Sequence, residues 1–305
     1  MSACALGIDF GGTKVAIAVG DASGSVYAQD RLAVQDWPTA KSLVQAALRT
    51  AQELARPFSV DRVGLSTMGI TEEERVLLAP NVPGWASLHL PALVAEVFPG
   101  KTVVISNDVK AAAMAECRWG TLRDVAYGAF LNWGTGIALA FCDHGRVWQG
   151  AHGAAGEIVY LRQGAETGYV GGHAPFEEKV GGRAIERAMW EEFGVAPAEF
   201  FSDLDRGGAR AKWWDNLVEQ VAAGLGNVLV ALDVEVLAVG GGLAQQFGYF
   251  GARLESILAT YVPFPPRVLV SPFIDRVGVL GALAVGLDSS LDFDDGRNRR
   301  HRPHA

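Results

Sequence analysis

Two stretches of the chain carry the same alternation of apolar runs and turn residues. The first, ALGIDF-GGT-KVAIAVG-DASG-SVYAQ, starts at Ala5, and the second, VAYGAFLNW-GTG-IALAFC-DHG-RVWQG, starts at Val125. Each predicts an apolar strand, a glycine turn, a second apolar strand, an Asp-x-Gly hairpin turn and a third strand. Elsewhere the period changes. Residues 39–55 set Leu43, Ala47, Leu48, Ala51, Leu54 and Ala55 on one face, the spacing of a helix. DRVGLS (61–66) and KTVVIS (101–106) predict strands, with a loop rich in Pro, Gly and Asn between them, APNVPGWASL from Ala79. The second of these strands runs into Asn107-Asp108 and an alanine-rich helix that Gly120 ends.

After the second repeat, Gly150 to Gly182 is glycine-rich with little periodicity. A loop that long in a compact domain points to function. Residues 210–232 predict a helix that buries Trp214, Leu217, Val218, Val221, Leu225, Val228, Leu229 and Leu232. VEVLAV (234–239) predicts a strand ending in Gly240-Gly241-Gly242, with a helix from Leu243, a short strand at 268–270 and a last helix over 276–287 that packs back on the first domain. From Ser289 the tail turns acidic and then basic and is expected to be disordered. The mixture predicts an α/β fold with mixed sheets.

Hairpin geometry explains either glycine turn alone. It does not explain the polar company of the first. Asp9 stands in an apolar strand, where a carboxylate is unfavourable unless paired or bound to a cation. Thr13 and Lys14 follow the glycines, and a lysine offers charge to phosphate oxygens. Glycine turns leave backbone N–H groups open to phosphate, so the duplication suggests a nucleotide clamped between two related domains. Asn107-Asp108 reads either as a helix N-cap or as the site of a general base at the carboxyl end of a strand. Glu157, among small residues, is a surface glutamate or an acceptor for sugar hydroxyls. Asn81 is a turn residue or a polyol ligand, and Trp85 a core anchor or a wall for a sugar ring. Gly240 to Gly242 form a turn or a close approach to a flat ligand such as adenine.

Composition narrows the classes. A length of 305 residues suffices for two domains. A net charge of −8 argues against nucleic-acid binding and leaves an anionic nucleotide to local donors. Cys4, Cys117 and Cys142 lack metal spacing and fit a reducing compartment. With no signal-peptide pattern and no apolar run of membrane length, a cytoplasmic protein without membrane partners is expected.

Together, GIDFGGTK (7–14), APNVPGW (79–85), NDVKAAA (107–113), NWGTGIALA (132–140), GAHGAAGEIVY (150–160) and VLAVGGGLA (236–244) resemble the ROK family of sugar kinases and repressors, from Leu6 to about Leu287. The resemblance implies a two-domain actin-like ATPase fold with a duplicated ribonuclease H-like core and a cleft between the domains. The first domain would hold residues 1–108 plus about 276–288 and the second 109–275, leaving the tail 289–305. It implies an ATP- and Mg²⁺-dependent kinase acting on a hydroxyl of a hexose or hexose-like sugar, by family habit the terminal hydroxymethyl. Asp108 would be the base, and Asn81, Asn107, Asp108 and Glu157 would bind the sugar. Gly11, Gly12, Thr13 and Lys14, with Gly134, Thr135 and Gly136, would hold the phosphates. Asp9 would lie near magnesium, and Gly240, Gly241 and Gly242 would border the adenosine. Family members are often homodimers.

The departures matter as much. After Glu157 the family carries Gly-His, whereas this chain has Val159-Tyr160. The family's zinc-binding cysteine cluster is missing, and His152 and His173 alone do not make a zinc site, so no zinc is expected. Glu177 falls where the family has a sugar-binding glutamate, with Glu178 the second choice. Lys110 replaces an asparagine and either faces solvent or puts a charge near the site. Tyr160 makes a modified hexose, an amino sugar or a cyclitol credible beside glucose. Two other readings stand. A repressor is opposed by the phosphate motif at Gly7, which leaves no room ahead of it for a DNA-binding domain. An idle sugar-binding protein is opposed by the joint presence of Asp9, Lys14 and Asp108.

Overall fold

The two strand–glycine–strand repeats fold into two sheets of one design. In this computed structural model, residues 4–71, 76–77, 84–85, 88–165, 168–169, 172–204 and 208–289 are described. The first half contains β1 (Cys4–Phe10), β2 (Lys14–Asp21), β3 (Val26–Ala33), α1 (Ala40–Ala55), β4 (Val60–Thr67), the short pair β5 (Ile70–Thr71) and β6 (Val76–Leu77), α2 (Leu90–Val97), β7 (Thr102–Asn107) and α3 (Asp108–Trp119). The second contains β8 (Tyr127–Trp133), β9 (Ile137–Asp143), β10 (Arg146–Val147), α4 (Glu177–Val180), α5 (Gly182–Phe193), α6 (Pro197–Ser202), α7 (Ala209–Leu232), β11 (Val236–Gly240), α8 (Phe247–Tyr261), β12 (Arg267–Val270) and α9 (Val277–Leu287). One sheet runs β3-β2-β1-β4-β7 and the other β10-β9-β8-β11-β12. In both, the hairpin pairs are antiparallel and the inner strand meets its next neighbour in parallel. The expected duplication is therefore present in topology.

Local chemistry explains the boundaries. Thr39 and Ser42 form a reciprocal capping box at the start of α1. The Asp-x-Gly turn after β9 puts His144 at φ 47 and Gly145 at φ 75, the left-handed pair that a tight hairpin needs. Trp85 is an anchor of the core: it is buried, stacks at a tilt on Phe10 with ring centroids 5.4 Å apart, and its indole N–H donates to Thr67 Oγ1 at 3.1 Å. Two expectations are corrected. A 3₁₀ turn over Gly242–Gln246 intervenes before α8, so no α-helix starts at Leu243. The glycine-rich stretch holds a 3₁₀ turn at Ile158–Tyr160 and α4, and α5 follows it at once. The pattern hid α5 because only Ile185 and Met189 of it are buried.

The last helix returns to the first sheet along a glycine seam. A Cβ on Gly64 of β4 would overlap Ala282 O and Gly286 N of α9. A Cβ on Gly7 of β1 would meet Leu283 N at 2.7 Å, and one on Gly281 would meet Ala111 C of α3 at 2.7 Å. Backbones thus touch where side chains would hold them apart. The chain passes between the halves after α3 and again after β12, and one buried carboxylate ties both passages. Glu116 accepts from Thr121 N at 2.7 Å and from the Ser271 hydroxyl, and Thr121 Oγ1 donates to Val270 O at 3.3 Å. Among the described residues, no helix is long and apolar enough to cross a membrane.

Gly64→Ala is expected to lower folding stability by about 2 kcal/mol or more through overpacking. Gly248→Ala in α8, where an added Cβ meets nothing within 4 Å, should be neutral or gain up to about 1 kcal/mol. Urea denaturation of the two variants reads the contrast.

Candidate active site

Register across the first sheet lines up three polar residues. Asp9 of β1 stands opposite Ser66 of β4, and Ser66 opposite Ser106 of β7. Ser66 Oγ donates to Asp9 Oδ1 at 2.7 Å. Gly278, in the first turn of α9, leaves the space that the Asp9 carboxylate fills. Burial raises the Asp9 carboxyl to about 6, against the Ser66 bond and the Lys14 charge. Ser66 and Gly278 were not singled out in the sequence. A lone serine in the apolar strand DRVGLS is the same kind of signal as Asp9 and could have found the first.

Strand β7 hands directly to α3. Asn107 caps the helix, accepting from Lys110 N at 3.0 Å, and its Nδ2 donates to Gly69 O at 3.2 Å. Each end of its amide thus makes one bond to protein, with one donor and one lone pair left over. Asp108 follows and accepts from Val109 N at 2.9 Å. Burial first, then the charge of Asp9, and more weakly that of Glu157, lift its carboxyl to about 7, opposed by the Val109 N–H. A carboxylate tuned near neutrality can both accept a proton and remain partly ionised. Lys110 is only 2% exposed, so it places its charge in the site instead of in solvent.

The two glycine turns differ in surroundings. Gly12, Thr13 and Lys14 are exposed, and the turn closes through Gly11 N to Lys14 O at 3.1 Å. The second turn closes through Gly134 N to Gly136 O at 3.0 Å. The start of α5 seals it: Gly182 N donates to Gly134 O at 2.9 Å and Arg183 N to Thr135 O at 3.0 Å. Gly136 lacks a side chain because the Glu177 carboxylate lies there, accepting from Ile137 N at 3.2 Å. Of the triple glycine, Gly240 packs on the Phe130 ring and Gly241, at φ +85, on the Trp133 carbonyl, while Gly242 faces open space.

Glu157 and Glu177 come from the second half, and the Glu177 charge adds to the rise of the Glu157 carboxyl. Burial raises both carboxyls above the ordinary glutamate range. Tyr160 lies within reach of both charges, and its ring meets Tyr169 edge-on at 5.5 Å. Tyr169, 61% exposed, was missed because its surroundings in the sequence carry no period. Glu178 points outward to His173 and Ala174 N. Asn81 lies outside the described residues. Among the described residues, no cluster of three His, Cys, Asp or Glu side chains could hold a metal ion.

Residues 5–288 match the ROK family model. The chain belongs to the ROK family. Among curated relatives of this ROK chain, a glucokinase of Aeropyrum pernix is 28% identical over 80% of this chain and 86% of the relative. An N-acetylmannosamine kinase of Escherichia coli is 29% identical over 94% of this chain and 99% of the relative. The solved ROK hexokinase of Thermus thermophilus superposes with a TM-score of 0.80 at 26% identity, covering 93% of this chain and 97% of that one. A Streptomyces griseus ROK glucokinase, solved with glucose and AMPPNP, shares the fold with a TM-score of 0.77 at 23% identity over 93% and 98% of the two chains. The architecture is thus the α/β actin-like fold of the ROK sugar kinases.

The raised Asp108 carboxyl has a stability consequence. Its folded value of about 7 exceeds the ordinary 3.8, so the folded state retains the proton between those values. That contribution is complete below about 4 and lost as pH rises through 7. Asp108→Asn should therefore be more stable than the parent at pH 8, by about 2–4 kcal/mol, with a much smaller gain at pH 5. Paired denaturant titrations at the two pH values measure the difference.

Proposed function

We propose that this ROK chain transfers the terminal phosphoryl group of ATP to a hydroxyl of a hexose or hexose-like sugar, with Asp108 as the general base. The observation that carries the reading is the setting of Asp108. It lies at the carboxyl end of a strand and the start of a helix, is tuned to about 7, and is close enough to Asp9 and Glu157 to feel both charges. The kinases among the ROK relatives support the reaction class.

In this reading Asp108 takes the proton from the acceptor hydroxyl as its oxygen attacks the phosphoryl group. Glu157 and Glu177 accept hydrogen bonds from the other hydroxyls. Asn107 contributes by holding the start of α3, which fixes Asp108. The Gly11 and Gly134 N–H groups close their own turns, so the backbone N–H groups of Gly12 and Thr13 and of Thr135 and Gly136, with the Lys14 ammonium, hold the phosphates, and Gly242 offers the open surface toward the nucleoside. Asp9 fits a magnesium ion carried by the nucleotide: it is an oxygen donor held in place by Ser66, and Mg²⁺ commonly takes one or two carboxylates beside phosphate oxygens and water. When bound, the ion supplies neutralisation of phosphate charge. The aromatic pair Tyr160 and Tyr169 favours a second reading of the acceptor, a modified hexose or cyclitol whose apolar face rests on the rings.

ADP release with Mg-ATP across hexoses, N-acetylhexosamines and cyclitols tests the proposal. A strong acceptor should emerge, and Asp108→Asn should lower kcat by roughly 10²–10⁴-fold while acceptor affinity persists. Silence from folded, ATP-binding protein across the panel, or full activity in the variant, contradicts it.

A further inference from the structure

Lysine is almost never fully buried without a partner, and a cation near a helix N-terminus opposes the helix dipole. Lys110 is buried at such a helix start and therefore calls for partners. It lies in the first turn of α3, two residues after Asp108, and is 2% exposed. Its Nζ donates to Gly153 O at 2.6 Å, in the loop between β10 and the 3₁₀ turn that follows Glu157. Its charge is matched by Glu157 and, less strongly, by Asp108. The same loop is fastened on its other side: Leu139 N donates to Gly156 O at 3.0 Å, and Gly156, at φ +89, has no room for a Cβ against Leu139 O. Glu157 therefore follows directly on a fastener to α3 at Gly153 and a fastener to β9 at Gly156. Asp9 and Glu177 add negative charge on either side, beside Asp108 and Glu157 respectively.

We propose that Lys110 is a positioning residue for the acceptor site, tying the Glu157 loop to the Asp108 helix and holding Glu157 in place to bind the sugar. Lys110 reaches Gly153 instead of the acceptor, so it acts through Glu157. This rests on the kinase reading given above. The ammonium does two things that no neutral side chain there would do: it anchors the Gly153 carbonyl, and it balances a carboxylate that burial disfavours.

The test compares Lys110→Met, which keeps the apolar stem, with Lys110→Arg, which keeps charge and donors, using whichever of glucose, N-acetylglucosamine or N-acetylmannosamine the parent phosphorylates with Mg-ATP. The expected result is a rise in acceptor KM of about tenfold or more in Lys110→Met, with ATP KM changed less than about twofold and Lys110→Arg recovering most of the loss. An unchanged acceptor KM, or an equal rise in both KM values, overturns the proposal. Lys110→Gln serves in the same assay if the Met variant does not fold. A double-mutant cycle on denaturation midpoints with Glu157→Gln needs no turnover: the two changes should be non-additive, and strict additivity overturns the proposal. A parent inactive on every sugar would sink the kinase reading alone, because the stability cycle still decides the Lys110–Glu157 coupling.

Discussion

Close backbone contact along α9 is the constraint on which the site depends. Gly7 and Gly64 on the sheet, with Gly278, Gly281 and Gly286 on the helix, let α9 lie against β1 and β4 and against α3 at once. Gly278 gives the Asp9 carboxylate its space, and Gly281 lets α3 approach at Ala111, one turn after Asp108. Two carboxylates from different elements thereby come near enough for Asp9 to raise Asp108. The same dense packing buries Asp9, while Asp108 beside it keeps some exposure. Packing alone would favour neutral groups here, so the ionised forms of these carboxyls lower stability at neutral pH.

The halves divide the work. The first brings the exposed, lysine-bearing turn, Asp9 and the Asp108 helix. The second brings the turn at Gly134 to Gly136, the carboxylates Glu157 and Glu177, and the tyrosine pair. Buried polar contacts join them at two places: Glu116 ties the two chain passages near the end of α3, and Lys110 reaches the loop before Glu157 near its start. Helix α3 thus carries Asp108 at one end and is held to the second half at both ends.

Much of this was legible from residue order. The repeated strand–glycine–strand pattern showed the two hairpin units, because alternation and turn residues are local signals, while the parallel neighbours β4 and β11 come from distant parts of the chain. Asp9 stood out as a charge in an apolar strand. Asn107-Asp108 was ambiguous between cap and base; the structure gives the capping bond to Asn107 and leaves the Asp108 carboxylate beside it, accepting from Val109 N. What stayed hidden depends on distant parts of the chain. Lys110 stood open between solvent and the site, and only the 150–157 loop, closing over it, decides for the site. Gly136 and Glu177 are 41 residues apart, and nothing local shows that one leaves space for the other. Tyr169 sits in a stretch without period, where pattern has nothing to report.

The central claim is that Asp108 is a largely desolvated carboxyl held near neutrality partly by Asp9. Carboxyl-carbon NMR titration of Asp108, in the parent and in Asp9→Asn, measures this directly. Asp108 should titrate near 7 in the parent. In Asp9→Asn it should move downward yet stay above the ordinary aspartate value, because burial persists. An Asp108 that titrates near 4 in both proteins, or that does not respond to the loss of Asp9, would contradict the claim.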